Sequence, residues 1–310
     1  MLRKSTISLA LLSVIATAQA NVLTTVKPLG FIASAITDGV TQTEVLLPVS
    51  ASPHDYSLKP SDIQKLNSAE LVVWIGEEME TFLEKSIDKL PKEKVLTLED
   101  VPAIEELVEH AEEQAELKEK KHAHHEHKHS HEHSHDHHHD ENWHIWLSPQ
   151  ASEIIAEQIA ARLSQQLPHQ KAKIAENLAT FKANLNAKNA EIAQQLQPAQ
   201  GKGYYTFHDA YGYFEKSYNL TSLGSFTINP SIAPGAKTLQ KIKKDVEKNA
   251  AKCLFTEPQF TPKVVESLSK NTGINVSQLD PLGAKIELSS TAYPEFLQSL
   301  ADSFGQCLTQ

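Results

Sequence analysis

Sixteen histidines stand in a chain of 310 residues that holds only two cysteines and two methionines, so imidazole nitrogen is the donor to follow. Neutral imidazole offers one lone pair to borderline-soft cations. Eleven of the 16 crowd into residues 122–139, as His122, His124, His125, His127, His129, His131, His133, His135, His137, His138 and His139, interleaved with Ala, Glu, Lys, Ser and Asp. Such a composition cannot build a packed core. The segment 118–141 is therefore expected to be a mobile loop that collects metal at overlapping, weak auxiliary sites, with a solvated pH-responsive spacer as the alternative. The two H-E-x-x-H matches inside it, beginning at His125 and His131, are products of alternating His with acids, because a metalloprotease needs that motif on an ordered, packed helix.

Of the other five histidines, His110 and His169 read as surface residues at helix edges. His54 (Pro53-His54-Asp55-Tyr56) follows an apolar β-rich run, His208 (Phe207-His208-Asp209) closes another, and His144 sits in Trp143-His144-Ile145-Trp146, where order resumes after the histidine run. In a doubly wound sheet the crevice beyond the carboxyl ends of the strands is where ligands bind. Three imidazoles delivered there can converge on one ion. Asp280, in Leu279-Asp280-Pro281-Leu282-Gly283 at the mouth of the last β-rich run, is the candidate carboxylate for a fourth position, with water as the alternative. Asp55 and Asp209, each beside a candidate ligand, are expected to orient the imidazoles through their second ring nitrogens. Since protonated imidazole cannot coordinate, acidification through about pH 6 is expected to weaken binding.

The elements that must position these residues read as an α/β fold. β-rich runs at 22–26, 44–48, 71–75 and 94–98 alternate with helical patterns, among them one begun by Pro60-Ser61-Asp62 and one carrying Met79, Phe82, Leu83 and Ile87. Such alternation points to a parallel sheet. The plan repeats at 204–207, 220–226, 253–256 and 274–279. Between the two lobes, residues 170–197 contain no Pro or Gly, and Ile174, Leu178, Phe181, Leu185, Ile192 and Leu196 make one apolar stripe. A rigid spine joining the lobes is favoured over a coiled-coil dimerisation helix. The resulting layout is a lobe at 21–167, a linking helix at 168–198 and a second lobe at 199–310.

Residues 1–20 read as an export signal, with Arg3 and Lys4, an apolar core over 7–15 and Ala18-Gln19-Ala20 as cleavage site. Its removal leaves 27 basic against 39 acidic residues, a balance that excludes nucleic acid as a default partner. No later run approaches the ~18 apolar residues of a membrane span, and no cysteine at the cleavage site offers a lipid anchor. A free periplasmic protein, monomeric as suits a shuttle, is expected. In that oxidising compartment Cys253 and Cys307 read as a disulfide worth ~4 kcal/mol in the chain-entropy account; two free buried thiols are the alternative.

Taken together, the export signal, His54-Asp55-Tyr56 with Pro60-Ser61-Asp62, the His-rich insertion, Trp143-His144-Ile145-Trp146, Phe207-His208-Asp209-Ala210-Tyr211 and Leu279-Asp280-Pro281-Leu282-Gly283 resemble the ZnuA-type periplasmic zinc-binding proteins of ABC importers. The resemblance spans the whole mature chain. It implies two α/β lobes on a rigid helix and Zn2+ held in the interlobe cleft by His54, His144 and His208. It also implies delivery to an inner-membrane ABC permease, and places the Cys253 to Cys307 bridge in the second lobe. Some relatives carry Glu immediately before the first ligand, where this chain has Pro53, which cannot coordinate. Two further readings of the same residues stay open: a zinc hydrolase, because three His plus an open position can activate water, and a periplasmic zinc buffer dominated by the His run.

Overall fold

The computed structural model describes residues 21–122, 141–259 and 263–310; the expected export signal and His124 to His139 lie outside them. Two four-stranded sheets, all parallel, carry the same strand order. In the first, β1 (Asn21–Thr24) and β2 (Gln42–Val45) are linked by α1 (Lys27–Thr37), and α2 (Pro60–Ser68) leads to β3 (Leu71–Trp74). Short helices α3 (Glu77–Glu80) and α4 (Glu84–Ile87) precede β4 (Val95–Thr97), and α5 (Pro102–His122) follows. The spatial order is β2-β1-β3-β4. After α6 (Pro149–Gln166) and α7 (Lys171–Leu196), the second sheet holds β5 (Gly203–His208), then α8 (Gly212–Ser217), β6 (Thr221–Thr227) and α9 (Ala236–Glu247). It closes with β7 (Ala251–Thr256), α10 (Lys263–Thr272), β8 (Asn275–Gln278) and α11 (Ala292–Leu308), in the order β6-β5-β7-β8. In each sheet the first strand is central, with the chain leaving to one side and returning on the other. The carboxyl end of that strand is the switch point where such sheets hold ligands.

Each expected β-rich run overlaps its strand, with ends displaced by up to three residues. The helix expected around Met79, Phe82, Leu83 and Ile87 is instead two short helices with a turn between them. Met79 packs into the largest core cluster, whereas Leu83 and Ile87 pack with Leu66, Val72 and Trp74 in a second one. One straight helix cannot serve both. No helix among the described residues is long and apolar enough to cross a membrane.

The linking helix α7 is 26 residues long, about 39 Å at the standard rise, and packs against α1, α6 and α11. Its buried stripe is Ile174, Phe181, Leu185, Ile192 and Leu196, joined by Asn177. A buried amide on an apolar face requires partners, and Asn177 Nδ2 donates to the carbonyls of Ile36 (2.9 Å) and Asp38 (2.8 Å). Those carbonyls end α1, where the helix supplies no amide for them. The spine is thus bonded to the first half. Cys253 of β7 and Cys307 of α11 form a disulfide, with Cα atoms 6.0 Å apart, tying the last helix to the second sheet. The largest core cluster runs continuously from Val22 and Phe31 through Trp146 and Phe181 to Phe255 and Phe304.

Replacing Asn177 with Ala strands two carbonyls at the end of α1. A destabilisation of about 1–3 kcal/mol is expected, read as a lower urea midpoint with an unchanged slope. Unchanged stability would mean that this junction does not brace the spine.

Candidate metal centre

Each of the three histidines is placed by a different device. His54 lies in the loop that follows β2, its backbone N–H donating to Ser52 Oγ at 3.2 Å. Just beyond it, Asp62 in the first turn of α2 accepts from the Lys59 N–H and the Tyr56 hydroxyl, both at 2.9 Å, which fixes the far end of the loop. His144 precedes a 3-10 turn at Ile145–Leu147 and the α6 N-cap Ser148, whose hydroxyl accepts from the Ala151 N–H at 3.1 Å. The Asn142 side-chain Oδ1 accepts both the His144 backbone N–H (3.1 Å) and Nδ1–H (2.7 Å), while Asn142 Nδ2 donates to the Asp209 backbone carbonyl (3.2 Å). Those partners settle which way the amide points. His208 ends the central strand β5, with its Nδ1 2.6 Å from Glu257 Oε1 and Glu257 just past the end of β7.

The elements bring the three rings together. His54 Nε2 and His208 Nε2 each lie 3.2 Å from His144 Nε2, and one ligand atom from each residue falls within 4.8 Å of the others. His144 is 4% and His208 3% exposed; His54 is partly exposed. With Nδ1–H of His144 given to Asn142 and Nδ1–H of His208 given to the Glu257 carboxylate, neutral rings must present bare lone pairs at Nε2. Two lone pairs facing at 3.2 Å repel unless something positive sits between them. Protons are a poor candidate. Burial, and then the charge His208 would carry, lower the His54 pKa from 6.5 to about 4; burial and the neighbouring His208 and His54 push His144 well below its usual value. A tetrahedral ion with nitrogen at 2.0–2.1 Å sets its ligand nitrogens about 3.3 Å apart, close to the 3.2 Å of the two contacts through His144.

The carboxylates fall elsewhere than expected. Asp280 lies outside the three-histidine group, and its oxygens serve the local fold: Oδ1 accepts from the Leu282 N–H (3.1 Å) and Gln259 Nε2 (3.2 Å), and Oδ2 from the Ala284 N–H (2.7 Å). It shapes the turn at Pro281-Leu282-Gly283, where Gly283 has φ +60° and a Cβ would meet Phe31 at 2.7 Å. That turn in turn offers the Pro281 carbonyl to Trp146 Nε1 at 2.8 Å, and Trp146 packs on His144 with ring centres 5.2 Å apart. Among the described residues neither Asp55 nor Asp209 bonds a ring nitrogen through its carboxylate; Asp209 serves through its carbonyl, on Asn142. The ring-orienting partners are Asn142 and Glu257, which sequence reasoning did not single out. Asn142 stands two residues from its histidine, a local signal; Glu257 is 49 residues from His208 and is marked only by being an acid at the end of a β-rich run. His110 and His169 are exposed. His122 ends α5.

Two spaces adjoin the rings. A cleft of about 740 Å³ is lined by His54 and His144 together with Glu78, Glu141 and Asp209, an acidic approach for a cation. A far smaller cavity, about 20 Å³, touches all three rings and is walled by Pro53, Trp146, Glu257 and Gln259 among others.

In metal-free protein near pH 7, nitrogen-15 spectra should show His144 as the Nδ1–H tautomer, with Nε2 in the chemical-shift range of an unprotonated nitrogen. An Nε2–H on His144 would dissolve the lone-pair argument.

The family model described as "Zinc-uptake complex component A periplasmic" matches residues 22–307. The chain is 68% identical over 310 residues to the high-affinity zinc uptake system protein ZnuA of Haemophilus ducreyi, covering 100% of both chains. It is 49% identical over 334 residues to the protein of the same name from Haemophilus influenzae, covering 100% of this chain and 99% of that one. In fold, a solved structure titled "Crystal structure of ZnuA" superposes with a TM-score of 0.74 at 23% identity, covering 94% of this chain and 99% of the other. The laminin-binding protein Lmb of Streptococcus agalactiae gives 0.73 at 21% identity, covering 93% and 99%. A full-length family match and relatives this similar over their whole length place the chain in the ZnuA family.

Proposed function

We propose that this chain captures Zn2+ in the periplasm on the Nε2 atoms of His54, His144 and His208 and delivers it to the membrane permease of an ABC importer. The observation that carries the reading is the pair of 3.2 Å contacts that His144 Nε2 makes with His54 Nε2 and His208 Nε2, with the Nδ1 atoms of His144 and His208 already directed at outer acceptors. Three neutral nitrogens favour zinc over manganese and magnesium, which prefer oxygen. The zinc uptake named for the H. ducreyi and H. influenzae relatives supports zinc as cargo.

A receptor fits the surroundings of the rings better than a catalyst. The inner cavity, about 20 Å³, admits about one water and no substrate beside it. The wider cleft reaches only His54 and His144 and is lined by Glu78, Glu141 and Asp209, a lining that suits the approach of a cation, and no esterase or hydration turnover is expected from the loaded protein. The buffer reading makes the His run dominant. Deleting 118–141 separates the two: the receptor retains one tight zinc equivalent, whereas a buffer loses nearly all capacity.

The direct test is zinc titration of the full exported chain beside His54→Ala, His144→Ala and His208→Ala. Loss of an outer ring-orienting partner typically costs ~10–100-fold in affinity, so removal of a ligand itself should cost more than that at each position. Wild-type affinity in any one of the three would remove that residue from the site.

Burial also moves the pH window. Were His54 and His144 to titrate near 6.5, lowering the pH from 7.5 to 5.5 would cost about tenfold at each ring through proton competition. With His54 held to about 4 and His144 lowered as well, these two rings stay available, and proton competition at them should contribute little until the pH falls below about 5. The fold behaves in the opposite sense. The unfolded chain takes up a proton at His54 below about 6.5 and the folded one only near 4, so the metal-free protein loses stability as pH falls through that interval. A tenfold or greater loss of zinc affinity at each ring between pH 7.5 and 5.5 would contradict this.

A further inference from the structure

Three histidines leave one position of a tetrahedral ion open, and neither Pro53 nor Asp280, which lies outside the three-histidine group, fills it. The small cavity touching the three rings has about 20 Å³, enough for one water. Gln259 reaches its wall from the loop after β7. The Gln259 Nε2 donates to Asp280 Oδ1 at 3.2 Å and to the Val49 carbonyl at 3.5 Å; since both partners are acceptors, the orientation of the amide is fixed. Its Oε1 is buried and has no hydrogen-bond partner among the described residues. A buried amide oxygen without a donor is unfavourable, and this one belongs to a residue that lines a water-sized space beside a metal-ligand set.

We propose that Gln259 is a positioning residue for the ion's fourth ligand: a water bound to the metal in this cavity donates a hydrogen bond to Gln259 Oε1. The proposal rests on the reading of the three histidines as the zinc site. A metal-bound water is a strong donor, and a neutral amide oxygen accepts from it without adding charge to the site. The same amide, through Nε2, reaches the Val49 carbonyl on the loop that carries His54. Water, Gln259 and that loop therefore form one hydrogen-bonded chain. An ion that recruits the water strengthens a link between the segment after β7 and the segment after β2, one from each sheet.

The test compares wild type, Gln259→Leu, Gln259→Glu and His54→Ala in the full exported chain. Zinc titration, X-ray absorption at the zinc edge and the visible spectrum of the cobalt-loaded protein are the readouts. In wild type the expected shell is three imidazole nitrogens and one further oxygen. Gln259→Leu, which removes the acceptor, should bind zinc at least about tenfold more weakly and shift the cobalt bands. Gln259→Glu keeps an acceptor but can donate to neither Val49 nor Asp280. It should bind zinc more tightly than Gln259→Leu if the oxygen matters, and fall as far as Gln259→Leu if the residue only braces its loop. Wild-type affinity and spectrum in Gln259→Leu, equal weakening in both variants, or a zinc shell lacking the non-imidazole oxygen would each overturn the proposal. Should His54→Ala also bind normally, the fault lies with the zinc-site reading itself.

Discussion

Bare imidazole lone pairs crowded at one point dominate the chemistry of this molecule. His144 and His208 each direct Nδ1 at an outer acceptor, Asn142 or Glu257, and a neutral ring so bonded cannot donate inward. The protein forces these nitrogens to within 3.2 Å in surroundings too buried to tolerate a proton on His144. Such an arrangement is strained when empty and relieved by a cation. The energy of folding thus holds the site open in composition but closed in geometry, a preorganisation that lowers the cost of ordering ligands when the ion arrives.

Holding mutually repelling groups together requires a stiff frame, and the fold supplies one at three levels. His208 sits at the end of a central strand whose residues are buried throughout, and Glu257 is brought beside it by the adjacent strand β7. His144 is gripped from both sides, by Asn142 before it and by the Trp146 ring after it, with Trp146 bonded to the Pro281 carbonyl of the far turn. Across the whole, α7 packs on helices of both halves, and Lys27 of α1 donates to the Ala284 carbonyl at 2.9 Å. A continuous core with a bonded spine favours small relative motion over wide hinge opening.

The three histidines that converge were legible because they are a rare type in punctuated settings. His54 follows a proline, His144 lies between two tryptophans, and His208 closes a run of four β-prone residues. The parallel sheets were legible from alternation, and the spine from an uninterrupted stripe. What escaped was whatever depends on partners distant in sequence. Glu257 looks like any acid after a strand until β7 is laid beside β5. Asp280 looks like a ligand until the turn it folds draws three donors onto its oxygens. Helix α1 has nine of its 11 residues buried, so its polar face, the usual mark of helical period, is missing. The helix expected at Met79 to Ile87 had the right spacing, but its apolar residues answer to two different cores.

The three ligand segments are not equally anchored, and that difference bears on how a tight site can give up its ion. His208 is on a strand and His144 is braced by an amide and an indole; both are almost fully buried. His54 is on a loop, partly exposed, with a backbone bond to Ser52 and no ring partner outside the triad among the described residues. Displacing that loop removes one nitrogen of three and opens the pair that remains toward the acidic cleft lined by Glu78, Glu141 and Asp209. Those carboxylates attract a divalent cation without enclosing it. On the proposed reading three nitrogens would hold the ion together, and movement of one short loop would break that set.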